Sequence, residues 1–136
     1  MPPELAVADT HSLLWAIGGR RAKLGRRARA MFDRADAGAG AVYVPTIVLV
    51  EVAEAVHAGR ASLDRPFDAW VEALRRSGHY LVTDLTADVV LHSHSLYAIP
   101  ERGDRLIAAT ASTLGVPLMT RDPAIATAAV VERLWD

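Results

Sequence analysis

The chain reads Leu5-Ala6-Val7-Ala8-Asp9, a short run of apolar residues that ends in an acid. A continuous apolar run of this length, without alternating polar residues, is typical of a strand that is buried on both faces of a sheet. The next segment, from Thr10 to Ile17, is apolar at helical spacing and stops at Gly18-Gly19. The pattern predicts a buried strand, a helix after it, and an acidic residue at their junction.

Segments of these two kinds alternate along the rest of the chain. Further apolar runs predict strands over residues 41–44, 80–83 and 117–120, with a candidate fifth strand over 130–134. Helical periodicity and turn signals predict helices over residues 22–36, 46–58, 64–76, 86–97 and 104–114. Strands separated by helices imply parallel crossovers, so we expect an α/β fold whose sheet carries helices on both faces. In such folds ligands bind outside the carboxyl ends of the strands, where the strand order reverses.

Length and composition narrow the class of protein. A chain of 136 residues predicts a single domain over residues 1–136. It contains no cysteine, which excludes thiol nucleophiles and Cys-ligated metals. The formal net charge is −1, so a polyanionic partner would have to be recognised locally. No run approaches the roughly 18 apolar residues that span a bilayer. Since no signal peptide is recognisable either, we expect a cytoplasmic protein with no membrane partner.

Four acids occupy positions that such a sheet would bring together. Asp9 follows the first predicted strand and Asp122 follows the fourth. Glu51 lies one turn into the helix after the second strand, among apolar neighbours, and Asp104 opens the helix that leads into the fourth strand. An apolar environment is an expensive place for a carboxylate without a partner. The pattern therefore favours an acidic cluster at the carboxyl end of the sheet.

Each of these acids also has a purely local interpretation. Asp9, Asp104 and Asp122 stand just before helical segments, where Asp is a favoured N-cap. Glu51 could be an exposed helix residue, because Glu54 lies close by on the same helical face. The sequence alone leaves capping and clustering open.

A cluster of carboxylates has a definite chemistry. Acids held within a few ångströms of one another repel and raise each other's pKa. A divalent cation removes that penalty, and Mg²⁺ prefers oxygen ligands while keeping several waters. A metal-bound water is a better nucleophile, and the ion stabilises charge on a transferring phosphoryl group. The pattern is therefore compatible with metal-assisted hydrolysis of a phosphate ester.

Several stretches resemble PIN-domain ribonucleases, most closely the VapC-type toxins of toxin–antitoxin pairs. These are residues 7–11, the helix around Glu51, residues 103–111 and residues 119–122, and they span nearly the whole chain in the family's order. The loop 99–103 departs from the family pattern, in which Asp-Pro often precedes the third acid. The resemblance implies a PIN-like three-layer fold whose parallel sheet has about five strands in the order 3-2-1-4-5. That order would make the first and fourth strands neighbours and bring Asp9 and Asp122 together.

The resemblance also implies a function. The family's metal-binding catalytic acids map onto Asp9, Glu51, Asp104 and Asp122, and its supporting hydroxyl maps onto Thr120. Family members hydrolyse RNA with Mg²⁺ or Mn²⁺, are blocked by a cognate antitoxin and commonly form homodimers. We therefore predict a metal-dependent endoribonuclease that acts as such a toxin. The alternative is a catalytically inactive PIN-like module that binds RNA or protein.

Basic residues cluster in one short segment. Six of the ten residues from 20 to 29 are basic, namely Arg20, Arg21, Lys23, Arg26, Arg27 and Arg29. They could hold RNA phosphates near the acids or form a solvated helix face. Arg121 is a separate case, since it could contact substrate or pair with the adjacent Asp122. A phosphorelay receiver domain is disfavoured, because it needs a lysine after its last strand and Lys23 is the only lysine.

Overall fold

Parallel strands form the centre of the protein. The structure is a computed structural model that describes residues 3–136. Within that range the sheet has the order β3-β2-β1-β4, with the strands listed here in chain order: β1 (Leu5–Ala8), β2 (Ala41–Pro45), β3 (Tyr80–Thr83) and β4 (Leu118–Met119). All neighbouring strands are parallel, and Val7 of β1 pairs with Tyr43 on one side and Leu118 on the other. The predicted parallel α/β sheet is confirmed.

The fifth segment of the predicted order 3-2-1-4-5 is reduced to a single bridge. Arg133 pairs in parallel with Leu118, and the Leu134 N–H donates to the Leu118 carbonyl at 2.9 Å. The segment lies beside β4, as predicted, but it forms no strand. One reason is that Val130 has a left-handed backbone (φ 56°) and ends the preceding helix, so extended pairing cannot begin there.

Helices lie between the strands. Over residues 3–136 they are α1 (Thr10–Ile17), α2 (Arg26–Asp36), α3 (Thr46–His57), α4 (Phe67–Arg76), α5 (Ala87–Ser93), α6 (Arg102–Leu114) and α7 (Pro123–Ala129). Ala6, Val7 and Ala8 of β1 are fully buried. Because successive strand residues point to opposite faces, β1 is covered on both faces, as a central parallel strand should be.

Three predicted helices are shorter than expected, and the one predicted over 64–76 begins only at Phe67, after Pro66. The helix predicted over 22–36 is interrupted: Arg21–Lys23 forms a 3-10 turn, and α2 starts only after Gly25. Gly25 lies so close to the Trp135 carbonyl that a Cβ would overlap it. The same carbonyl accepts hydrogen bonds from the N–H groups of the first turn of α2, and so the carboxyl-terminal segment fixes where this helix begins. The helix predicted over 86–97 starts after its cap, Thr86, and ends at Ser93.

The core is apolar and continuous. Its largest fully buried side chains include Phe32, Leu13, Met31 and Ile107, which come from α1, α2 and α6. These helices therefore share one core with β1. No helix within residues 3–136 combines the length and the apolar character needed to cross a membrane.

Candidate functional site

A cleft of about 900 Å³ opens where β1 ends. Asp9, Glu51 and Asp104 all line it. Asp9 is the first residue beyond β1, Glu51 lies on α3, and Asp104 lies in the first turn of α6. The fold thus brings three of the four predicted acids to one cleft from three separate stretches of the chain.

Asp9 caps α1 and faces the cleft at the same time. Its carboxylate accepts a hydrogen bond from the Ser12 N–H at 2.9 Å. Burial raises the pKa of Asp9, while hydrogen bonds from Ser12 and Thr120 oppose that rise. Thr120 is itself buried. The predicted supporting hydroxyl therefore lies beside the first acid and favours its ionised form.

Glu51 is held between two elements. The Thr10 hydroxyl donates to its carboxylate at 2.5 Å. On the other side the carboxylate lies against Gly103, where a Cβ would overlap it. Burial raises the pKa of Glu51, the hydrogen bond from Thr10 lowers it, and the charges of Glu101 and Glu54 raise it again. Glu51 is partly buried and Glu54 is exposed, so the two do not form a common solvent-exposed face.

Asp104 is surrounded by acids. Its pKa is raised to about 6, first by burial and then by the charges of Glu101, Glu51, Asp9 and Asp122, in that order. Each of these carboxylates therefore lies near enough to disfavour ionisation of Asp104. The four predicted acids form one electrostatic cluster, to which Glu101 is an addition.

Glu101, and not Asp104, caps α6. Its carboxylate accepts hydrogen bonds from the N–H groups of Gly103 at 3.0 Å and Asp104 at 2.6 Å. The capping interpretation of Asp104 is wrong, because the helix begins two residues earlier than predicted. Among the residues that the structure describes, none donates a hydrogen bond to the Asp104 carboxylate. The oxygens of this carboxylate are therefore available to a ligand that enters the cleft.

Asp122 stands at the edge of the cluster. It is exposed, does not line the cleft, and accepts a hydrogen bond from the Ala124 N–H at 2.9 Å as the cap of α7. Its own N–H donates to the Thr120 hydroxyl at 3.2 Å. For Asp9 and Asp122, then, capping and membership of the cluster coexist.

Three further residues of the site went unpredicted: Glu101, Thr10 and His11. All three line the cleft. The charge of His11 lowers the pKa of both Asp9 and Glu51. The sequence signal for Thr10 and His11 was their position directly after Asp9. Glu101 had no comparable signal, since Glu is not among the favoured N-cap residues.

The donor set suits a hard divalent cation. Carboxylate oxygens are the ligands that Mg²⁺ and Mn²⁺ prefer. Within residues 3–136 no three acidic or histidine side chains converge on a common point at metal-binding distance. Two of the carboxylates accept hydrogen bonds from nearby residues instead, Asp9 from Ser12 and Glu51 from Thr10. Because Mg²⁺ commonly takes one or two carboxylates and keeps several waters, the residues present fit such an ion.

The basic segment divides into two groups. Arg21 forms ion pairs with Asp33 and Asp36, both at 2.6 Å, and Arg27 forms one with Glu132 at 2.7 Å. These two arginines already have carboxylate partners. The other basic residues of the segment have no carboxylate partner in the described part of the chain; they are Arg20, Lys23, Arg26 and Arg29. Of these, Arg20 lines the cleft.

The parallel sheet and the acids at its carboxyl edge define a known class of domain. The family model described as PIN domain matches residues 6–131, and the chain belongs to this family. No curated protein matches the sequence significantly.

Solved structures of the same fold include a toxin–antitoxin complex and two further proteins. One is VapBC2 from Rickettsia felis, whose structure was solved with a DNA fragment from the VapBC2 promoter. A chain of it matches with a TM-score of 0.68 and 14% identity, over 97% of this chain and 99% of that chain. FitAcB from Neisseria gonorrhoeae matches with a TM-score of 0.61 and 19% identity, over 95% and 96%. A toxin–antitoxin complex from Klebsiella pneumoniae matches with a TM-score of 0.59 and 21% identity, over 86% of each chain. The predicted PIN-like fold is confirmed.

Proposed function

We propose that this chain is a metal-dependent endoribonuclease that hydrolyses RNA phosphodiester bonds with Mg²⁺ or Mn²⁺. One observation carries the proposal: Asp104 lies in a cleft within the field of Asp9, Glu51, Glu101 and Asp122, and its pKa is raised to about 6. Such a concentration of negative charge is costly unless a cation compensates it. Membership of the PIN domain family supports the same conclusion.

The acids have distinct roles in this proposal. Asp9 and Asp104 bind the ion directly, while Glu51 and Asp122 complete the site through bound waters or at a second ion. A bound divalent ion supplies an activated water and stabilises charge on the transferring phosphoryl group. The hydrogen bond from Thr120 lowers the pKa of Asp9 against the larger effect of burial, and Thr10 and Gly103 hold Glu51 in place.

We further propose that the protein is a VapC-type toxin with a cognate antitoxin that blocks the cleft. The support is the shared fold with VapBC2, FitAcB and the Klebsiella pneumoniae complex. A homodimer is part of the proposal, and exposed apolar side chains on and beyond α5 support it. Val90 is 48% exposed, Leu91 72% and Tyr97 62%. Apolar groups exposed together commonly mark a protein contact.

RNA cleavage by matched variants tests the enzymatic proposal. Asp104→Asn removes one charge from the cleft, and Asp88→Asn makes the same change in the first turn of α5, at an exposed residue that does not line the cleft. We expect wild type and Asp88→Asn to cleave RNA with Mg²⁺ or Mn²⁺ and to stop in EDTA. Asp104→Asn should lose activity, and so should Asp9→Asn, with the fold intact.

Retained cleavage in Asp104→Asn would contradict the assignment of the acids. Cleavage that persists in EDTA would contradict the metal dependence. Binding of RNA by wild type without any cleavage would favour the inactive binding module.

A further inference from the structure

Two cations from separate segments lie over the same tryptophan beside the cleft. The Lys23 Nζ is 5.7 Å from the centroid of the Trp15 ring, and the Arg121 guanidinium carbon is 5.2 Å from it. Lys23 ends the 3-10 turn that follows α1, whereas Arg121 lies between β4 and α7. Within residues 3–136 neither cation has a carboxylate at ion-pair distance. Arg121 therefore does not pair with the adjacent Asp122.

The fold builds this arrangement from the core outward. The Trp15 ring is partly buried and packs against Trp135, with ring centroids 6.4 Å apart. The Arg133 guanidinium donates to the Arg121 carbonyl at 3.1 Å, which ties down the backbone of Arg121. The face of an indole ring attracts cations, so the Trp15 ring gives both side chains the same aromatic partner. In the described part of the chain both positive charges are left without an anionic partner.

The distribution of charge around the cleft favours binding of an anion near Trp15. Trp15 lines the same cleft as the acids, and so do Arg20 and Arg60. The cleft thus presents acids at the end of β1 and cations on its walls, while Lys23 and Arg121 lie outside its lining, on the Trp15 ring that forms part of its wall. An RNA strand carries a negatively charged phosphate at every nucleotide, and the acids of the cleft repel the phosphates that come near them. Cations beside the acids offset that repulsion at the neighbouring phosphates.

We propose that Lys23 and Arg121, gathered on the Trp15 ring, form a phosphate-binding subsite for the RNA strand next to the bond that is cleaved. The proposal rests on the proposed ribonuclease function and adds to it how the strand is positioned. The ligand is a backbone phosphodiester, recognised by charge and not by base identity. Trp15 acts as a positioning residue, because it places the two cations.

Salt-dependent RNA binding tests the subsite. All proteins carry Asp104→Asn to prevent cleavage, and the probe is a short fluorescein-labelled single-stranded RNA of mixed sequence, followed by fluorescence anisotropy. Lys23→Gln and Arg121→Gln should each lower the magnitude of the slope of log K against log salt by about 0.7, the share of one phosphate contact in single-stranded nucleic acid. At about 0.1 M salt this corresponds to roughly fivefold weaker binding. Arg76→Gln, an exposed arginine on α4 outside the cleft, should leave the slope unchanged.

Two Trp15 variants separate positioning from charge. Trp15→Leu keeps both cations but removes the ring, so we expect weaker binding and a smaller slope. Trp15→Phe keeps an aromatic face and should restore most of the slope. Thermal unfolding of each variant establishes that it is folded.

The outcomes distinguish this inference from the proposed function. Unchanged slopes in Lys23→Gln and Arg121→Gln, with metal-dependent cleavage intact in wild type, would overturn the subsite alone. Reduced slopes together with a wild type that cannot cleave would keep the subsite but overturn the ribonuclease. Absence of RNA binding by the parent protein would overturn the subsite, and together with a wild type that cannot cleave RNA it would overturn both.

Discussion

The Glu51 carboxylate lies directly against Gly103 in the first turn of α6, with no room for a side chain between them. The residue after Gly103 is Asp104, so this contact brings an acid of α3 beside an acid of α6. Thr10 donates to the other oxygen of the same carboxylate. A residue without a side chain at position 103 therefore allows two of the proposed metal-binding acids to approach each other.

Gly103→Ala should displace Glu51. The added methyl group overlaps the carboxylate, so either the side chain or the helix must move. We expect metal-dependent RNA cleavage to fall at least about tenfold and the free energy of unfolding to fall by about 1–3 kcal/mol, the usual cost of overpacking. Cleavage assays and urea unfolding measure the two effects.

The control for this prediction is the same change in a Glu51→Ala background. Without the Glu51 carboxylate, the nearest remaining neighbour of the methyl group is the Glu101 carboxylate oxygen at 3.1 Å, which a small shift of that side chain accommodates. Alanine also has the better helix propensity. Gly103→Ala should then raise the free energy of unfolding by about 0.5 kcal/mol. A loss of stability of equal size in both backgrounds would show that the Glu51 contact is not the cause.

The metal-free protein should lose stability as the pH rises past the ordinary pKa of Asp104. That pKa is 3.8 in the unfolded chain and is raised to about 6 by burial and the surrounding acids in the folded protein. Between these values the folded state binds the proton more tightly, so the contribution of Asp104 to the free energy of unfolding falls with rising pH. Asp104→Asn should therefore stabilise the protein in EDTA at about pH 7, by about 1 kcal/mol after solvent screening, and have little effect at about pH 4.

Urea unfolding at the two pH values measures this difference, and Asp88→Asn provides the reference for loss of an exposed charge. With a divalent ion present, wild type should become more stable to unfolding than Asp104→Asn. The ion stabilises the folded state by binding to it, and it binds more weakly to the variant, which lacks one carboxylate. If Asp104→Asn is destabilising in EDTA at neutral pH, the carboxylate is not under the repulsion described above.

Val130 carries a local strain that glycine should relieve. Its backbone is left-handed, with φ 56° and ψ 45°, and its side chain is 90% exposed. The left-handed conformation costs an L-residue about 1–2 kcal/mol, whereas glycine adopts it freely. Val130→Gly should raise the free energy of unfolding by about 1 kcal/mol, measured by urea unfolding. Val130→Ala keeps the left-handed cost, and an equal gain from both substitutions would rule out backbone strain as the cause.

The position of β1 and Asp9 was predictable because the information is local. An apolar run followed by an acid and a helical segment specifies the strand, its carboxyl end and the residue beyond it. The beginning of α6 was not predictable in this way. Asp is a favoured N-cap, so position 104 was a plausible helix start, yet Glu101 takes that role with two hydrogen bonds from its carboxylate. That geometry depends on how the loop before α6 turns, which no local pattern records.

The missed parts of the site depend on contacts between distant segments. Thr10 reaches Glu51 because α1 packs against α3. Arg121 reaches Trp15 because the chain leaves β4 beside β1. Periodicity predicts each of these elements, but not which of their side chains meet. The same reasoning explains why the segment predicted as a fifth strand forms only a single bridge, since an apolar run does not reveal the left-handed backbone of Val130.

The central claim is that the acids of the cleft share a divalent ion, and Mn²⁺ binding tests it most directly. Free Mn²⁺ in a titration can be followed by electron paramagnetic resonance, for wild type, Asp104→Asn and Asp88→Asn. We predict that wild type and Asp88→Asn bind Mn²⁺ with equal affinity and that Asp104→Asn binds at least about tenfold more weakly, because even the loss of an outer-shell partner of a metal ligand commonly costs about tenfold or more in affinity. Equal binding by all three proteins would contradict the account.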